Sequence, residues 1–355
     1  MTALWCVGGV VALSRAALMG PSSFFLTQDK LLGVLAPLLP PNDAEDYGLR
    51  TLQWHERGHA GAIEATVAVL KADVPSAVLQ ERGCKVLCKL VTDEAKRGEA
   101  GAAGAIEALT AAMQAHTASA EVLQAACLAL RSLASLHLDN KVKAAAAGAI
   151  EAVVAAMQAH PASAEVQQCA SQALAGLADD YRTDNRSKAG AAGALESLVA
   201  AMQAHPASAD VQCAVCKALS WLTFNLENKN KAGKVGVIET AVAALRAHPA
   251  NAQVQEAACS VIGNATHINK INQAKAGALG ASEAAVTAML LHPSSQGVHY
   301  AACSALKHLT EEGNSGNVAK ARTAGAVDAA NRAMQKYAGT SFVVERAQEV
   351  LAALS

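Results

Sequence analysis

The stretch Gly148-Ala-Ile-Glu-Ala-Val-Val-Ala-Ala-Met-Gln-Ala-His-Pro-Ala-Ser-Ala-Glu-Val-Gln167 decides the fold. Within it Ile150, Val153, Val154 and Met157 fall at i, i+3, i+4 and i+7, one apolar stripe along a helix. That stripe stops at His160-Pro161. A second follows, carried by Val166, Cys169, Ala170, Ala173, Leu174 and Leu177 at helical spacing. A short third element, such as Asn185-Arg-Ser-Lys-Ala-Gly190, precedes each such glycine. Neither long helix can bury its stripe alone, so copies of the unit must stack into a continuous core.

Copies are present. The opening phrase recurs as Gly61-Ala-Ile-Glu64, Gly104-Ala-Ile-Glu107, Gly193-Ala-Leu-Glu196, Gly236-Val-Ile-Glu239, Gly280-Ala-Ser-Glu283 and Gly325-Ala-Val-Asp328. With Gly148 included, the glycines stand 43, 44, 45, 43, 44 and 45 residues apart. A period in this range fits two or three helices per unit. The expected organisation is an all-α solenoid of about seven three-helix repeats over 58–355. A partial match in Leu31 to Trp54 suggests a truncated N-terminal capping repeat over 31–57. Residues 1–30 read as an apolar lead-in, or as a targeting segment. The run Leu4–Leu13 lacks a basic leading region and is too short to span a bilayer.

Composition narrows the function. The 355 residues carry 29 basic and 30 acidic side chains, without the basic excess that a nucleic-acid surface needs. Aromatic residues make up 3%, while 52% are hydrophobic, which suits closely packed alanine-rich helices. Nine cysteines in no disulfide-scaffold context point to a reducing, cytoplasmic location. No segment holds 18 uninterrupted apolar residues, so no integral membrane part is expected. The sequence has no Gly-rich phosphate loop, no His-Glu-x-x-His and no nucleophile elbow, so neither catalysis nor a cofactor is expected.

Stacking turns a residue kept at one offset into a ladder. Asn140, Asn185, Asn228, Asn272 and Asn317 stand eight residues before the glycine and read as N-caps of the following helix. The acids from Glu64 to Asp328, three residues after it, suit the first turn of the second helix. His116, His160, His205, His248 and His292 sit twelve residues after it, where a histidine meets the free carbonyls of its helix end. Stacked helices about 8–10 Å apart leave such neighbours too distant to share an ion, so no metal is expected. Cys84, Cys127, Cys216, Cys259 and Cys303, with Ser171, read as small residues at close helix contacts. Cys213-x-x-Cys216 has the form of a redox or zinc half-site but no second pair. Five residues before the glycine runs a basic row, Lys143, Lys188, Lys231, Lys275 and Lys320, flanked by Arg97, Lys141, Arg186 and Lys229. It reads as a solvated edge, or as a field for an acidic or phosphorylated partner.

The order short helix, long helix, long helix, with Asn-x-x-Lys leading into Ala-Gly-Ala-Ile-Glu-Ala, resembles the armadillo repeat. The phrase over 155–167, followed by Ala173-Leu174, is similar to the armadillo region of the large leucine-rich-repeat kinases and related stand-alone armadillo proteins. The resemblance covers residues 58 to 355. It implies a right-handed α-solenoid whose third helices line a concave groove for extended peptides or protein partners. It also suggests a regulatory adaptor for a small GTPase or kinase. The importin-type members grip a basic peptide with a Trp and an Asn four residues apart on the third helix. Here the Asn position holds Lys89, Ser132, Gly176, Trp221, Asn264 and His308, and the Trp position holds Lys85, Leu128, Gln172, Lys217, Ser260 and Ser304. Only Asn264 matches, which argues against nuclear-signal binding.

The helical wheel selects a groove. If Val254, Ala258, Val261, Ile262 and Ala265 face the core, then Glu256, Ser260, Gly263, Asn264 and His267 face outward. The equivalent positions are Cys213, Lys217, Ser220, Trp221 and Phe224 in the unit before, and Tyr300, Ser304, Lys307 and His308 in the unit after. The candidate partner-binding residues are therefore Lys217, Trp221, Phe224, Asn264, His267, Tyr300, Ser304 and His308. The expected function is a non-catalytic scaffold for a protein or peptide. Open solenoid ends also allow self-association.

Overall fold

The computed structural model describes residues 48–53, 56, 61–72, 74–311 and 314–355. The lead-in over 1–30 lies outside them, as does most of the capping unit over 31–57, of which a helical stretch at 48–53 is described. The first glycine-marked unit contributes α1 (Ala62–Ala72) and α2 (Ala77–Leu90). The next two hold α3 (Glu94–Ala103), α4 (Ala105–Ala115) and α5 (Ala120–Ala134), then α6 (Leu138–Ala146), α7 (Ala149–Ala159) and α8 (Ala164–Ala178). The central pair holds α9 (Asn185–Ala191), α10 (Ala194–Ala204) and α11 (Ala209–Leu222), then α12 (Leu226–Val235), α13 (Val237–Ala247) and α14 (Ala252–Thr266). The last two hold α15 (Lys270–Ala278), α16 (Ala281–Leu291) and α17 (Gln296–Thr310), then α18 (Ser315–Thr323), α19 (Ala326–Lys336) and α20 (Ser341–Leu354). The three-helix repeat is thus as the glycine spacing predicts.

Third helices pack on third helices, α2 through α20, as the most extensive contact in the molecule. Their inward stripes, such as Leu219, Ile262 and Leu306, are fully buried. Each such side chain contributes roughly 1.5–3 kcal/mol by leaving water. The seven marker glycines all have positive φ, from 75° to 97°, because the chain must turn sharply from first to second helix. Gly193 isolates that requirement, since a Cβ there would meet nothing within 4 Å. Gly193→Ala is therefore expected to cost about 1–2 kcal/mol from backbone conformation alone, measurable as a lowered urea midpoint with unchanged helical signal.

The helix ends show what the ladders do. Ser76, Ser119, Ser163, Ser208 and Ser295, with Asn251, cap the third helices by accepting a backbone N–H three residues on. The expected Asn caps are corrected: Asn140, Asn185, Asn228, Asn272 and Asn317 lie inside the first helices or at their first residue, and they donate. The Asn272 amide reaches Lys229 O at 2.9 Å in the previous unit and Ala265 O at 2.8 Å at the end of α14. Asn317 does the same with Gln273 O and Leu309 O. The caps proper are His137, Asn225, Asn269 and Asn314, three residues earlier. The Asn ladder is an inter-repeat staple, because an amide carries two donors: one meets a free carbonyl at the close of the preceding third helix, and the other reaches a carbonyl of the previous unit's first helix.

The histidine ladder is corrected in the same sense. Each histidine ends its second helix, but its Nε2 meets a loop carbonyl of the preceding unit: Thr117 O for His160, Pro161 O for His205, Pro206 O for His248 and Pro249 O for His292. His116 meets Val74 O, and Tyr337 continues the row through its hydroxyl to Pro293 O. The free carbonyls of the second helices are met instead by Gln167, Gln212 and Gln255, each donating to two. The Cys ladder is buried and unpaired in disulfides, and burial pushes the Cys259 and Cys303 thiols up to about 12. Among the described residues no single helix is long and apolar enough to cross a membrane.

Candidate concave interface

The outward face of the third helices carries the candidate site. The five residues expected to face the core from α14, Val254, Ala258, Val261, Ile262 and Ala265, are all fully buried. Opposite them, across α5, α8, α11 and α14, lies an open cavity of about 340 Å³. Its lining includes Arg131, Gln172, Asp179, Asp210, Lys217 and Trp221. Arg131 donates to Gln172 Oε1 at 2.8 Å, so this side chain is oriented across two units. The walls carry both charge signs.

The predicted residues divide into three groups. Lys217 and Trp221 line this cavity, and Trp221 lies 5.8 Å from Phe224, ring centre to ring centre. The Arg186 guanidinium stands 5.7 Å over Trp221 and 5.3 Å over Phe224, while its Nε holds Ala178 O. Trp221 and Phe224 keep 37% and 54% of their surface exposed, so both are accessible aromatic faces. Farther along, Tyr300 packs edge-on against Phe342, with Arg346 over its ring. Ser304 is half-buried beside this second group, on the same helix α17.

Between them the third group is used internally. The Asn264 amide donates to Ser220 O at 3.0 Å, and His308 is buried with Nδ1 on Gly263 O at 3.0 Å. Gly263 is buried too, against Ala305, and does not face outward as expected. His267 is half-buried, its ring centre 4.5 Å from that of His308. The accessible surface is therefore two aromatic–arginine clusters flanking a polar seam. The sequence reading did not select Arg131, Gln172, Asp179 and Asp210. Arg131, Gln172 and Asp210 lie on the outward faces of their own third helices, a signal the helical wheel carries, while Asp179 follows the last residue of α8.

The basic row is placed differently from a solvated field. Lys231 bonds Gly190 O at 2.9 Å and pairs with Glu196 at 2.8 Å, and Lys275 bonds Gly233 O and pairs with Glu239 at 2.6 Å. Lys143 and Lys320 likewise reach Gly101 O and Gly277 O, whereas Lys188 faces Asp184 at 3.6 Å. These ammonium groups sit at the carboxyl ends of the preceding first helices, where the dipole favours cations. The flanking row is engaged as well: Arg97 on Ser132 O, Lys141 on Asp179 and Lys229 on His267 O. Cys213 and Cys216 are both buried, and burial raises both thiols, so neither is a reactive pair.

A family model described as LRRK2 ARM repeat matches residues 62–227 and 222–354. Comparison with curated protein sequences finds no significant match. Among solved structures, an engineered protein superposes with a TM-score of 0.71 at 20% identity, covering 91% of this chain and 77% of its own. A β-catenin structure, from work on a phosphorylation switch in its interaction with cadherin, gives 0.72 at 17% identity, covering 97% of this chain and 64% of its own. A designed armadillo repeat protein in complex with the peptide (KR)4 gives 0.59 at 25% identity, covering 70% and 99%.

Proposed function

The chain belongs to the armadillo-repeat family described as LRRK2 ARM repeat, and on that premise we propose that it is a non-catalytic scaffold holding an extended segment of a partner protein along its concave third-helix surface. The observation that carries this reading is the cavity spanning four successive third helices with Trp221 exposed in its wall. In a chain with 11 aromatic residues (four Phe, four Tyr, three Trp), exposed Trp221, Phe224 and Tyr300 on one face are candidates for interface anchors. Arg131 and Lys217 together with Asp179 and Asp210 line the same cavity, which suits a peptide carrying both charge signs. Similar structures offer precedents: one designed protein holds (KR)4, and β-catenin interacts with cadherin. The basic edge is the second reading, weakened because most of its ammonium groups already hold carbonyls or carboxylates.

The test is affinity capture from native extract with the wild type beside the Trp221→Ala/Tyr300→Ala double variant. A protein retained only by the wild type supports the concave surface. Equal retention by both moves the interface to the edge carrying Lys188.

A further inference from the structure

The polar seam between the two aromatic clusters holds a group of potential metal-ligating side chains at the junction of two repeats. His267 ends α14, while His308 and Glu311 end α17 in the next unit, so the turns of two adjacent repeats meet there. One ligand atom from each of the three lies within 4.8 Å of the other two. The Nε2 of His308 is 3.8 Å from the Glu311 carboxylate. Its Nδ1 is held by Gly263 O at 3.0 Å. That bond fixes the ring and makes Nδ1 the donor, leaving the Nε2 lone pair aimed at Glu311. A carbonyl holding the far nitrogen of a histidine is the usual outer support of a metal-bound imidazole.

We propose that His267, His308 and Glu311 form a site for a divalent transition-metal ion of the zinc class, clamping the fifth and sixth glycine-marked units together. Two imidazoles and one carboxylate are the borderline-soft donor set that zinc accepts, and three protein ligands leave one position open. Zinc bonds of about 2.0–2.2 Å place tetrahedral ligands about 3.3 Å apart, so the group must close by roughly 1–1.5 Å. His267 and Glu311, both half-buried at helix ends, can supply that movement while His308 stays fixed. Burial, then the neighbouring His267, lowers the His308 pKa to about 4, and burial lowers that of His267.

Three cations surround the group. Lys229 Nζ lies on His267 O at 3.0 Å, Lys307 stands 4.0 Å from Glu311 and 3.5 Å from Glu349, and Arg346 pairs with Glu349 at 2.6 Å. Two carboxylates thus stand against three fixed cations, a balance that weakens cation binding and sets imidazole ligation, rather than net charge, as its source. Hard cations held by oxygen ligands should accordingly be excluded.

The test uses the full, untagged chain, stripped with a chelator and titrated with zinc chloride in the calorimeter. One ion per chain is expected, with no comparable uptake of magnesium. His267→Gln and Glu311→Gln should each lower the affinity by more than about 100-fold, since changes to outer supports alone cost 10–100-fold. His160→Ala, which removes a ladder histidine, should leave the affinity unchanged. Cobalt in place of zinc should give a visible absorption band that both variants lack. His308→Ala removes a buried group, so the two half-buried positions decide the matter if that variant does not fold. No uptake by the wild type, or uptake that survives both His267→Gln and Glu311→Gln, would overturn the proposal. The proposal is independent of the partner: zinc uptake with no captured protein, or the reverse, separates the two.

Discussion

Asn272→Ala is expected to lower the stability of the fifth and sixth glycine-marked units by roughly 1–3 kcal/mol. The wild-type amide donates to Lys229 O inside α12 and to Ala265 O in the last turn of α14, and is itself only 1% exposed. Alanine leaves Ala265 O without a donor, and an unpaired buried group costs about 1–3 kcal/mol, while Lys229 O keeps its bond within α12. Asn272→Asp should be equally damaging although its shape is nearly unchanged, because a carboxylate cannot donate. That second variant separates the hydrogen bonds from the void. Repeats couple to their neighbours, so the loss should appear first as faster amide exchange in α15 and the last turn of α14. Asn230→Ala, at an exposed residue that only accepts from Asn269, should change little.

What the sequence revealed and concealed follows from the range of each signal. The repeat was legible because Gly193 and its six equivalents answer a local demand, a left-handed turn, that recurs at fixed spacing. The core stripe was legible because burial on α14 depends on its own periodicity. The Asn272 and His205 ladders were visible as ladders but misassigned, since a single unit offers only its own helix ends as partners. Their acceptors lie 42–44 residues away in the neighbouring unit, or, for the Asn, also at the close of the preceding third helix. The candidate site was legible in part for the same reason. Trp221 and Tyr300 project outward whatever their neighbours do. Whether His308 is exposed depends on the preceding third helix, whose Gly263 carbonyl accepts from its imidazole.

The second large effect concerns binding. Removing the Trp221 and Tyr300 rings together is expected to weaken partner affinity by about 100- to 1000-fold. Truncating one aromatic anchor commonly costs 2 kcal/mol or more, and 1.4 kcal/mol is tenfold. The two rings belong to separate clusters, one with Phe224 and Arg186 and the other with Phe342 and Arg346, so their effects should add approximately. Stability should fall by no more than about 1 kcal/mol, because both rings are already solvated on one face. Affinity measured by titration, beside a urea unfolding curve for the same variant, separates the two effects. A loss of affinity that tracks a loss of stability would mean that the rings support the fold rather than the partner.

The central claim is that a partner segment lies on the third helices, and site-directed photo-crosslinking tests it most directly. A photoreactive side chain placed at Gln168 or Gln172 on α8 faces the cavity wall, and one placed at Lys188 or Val142 reports on the edge. The account predicts that the captured partner crosslinks from Gln168 and Gln172 and not from Lys188 or Val142. Crosslinking confined to Lys188 and Val142 would contradict it.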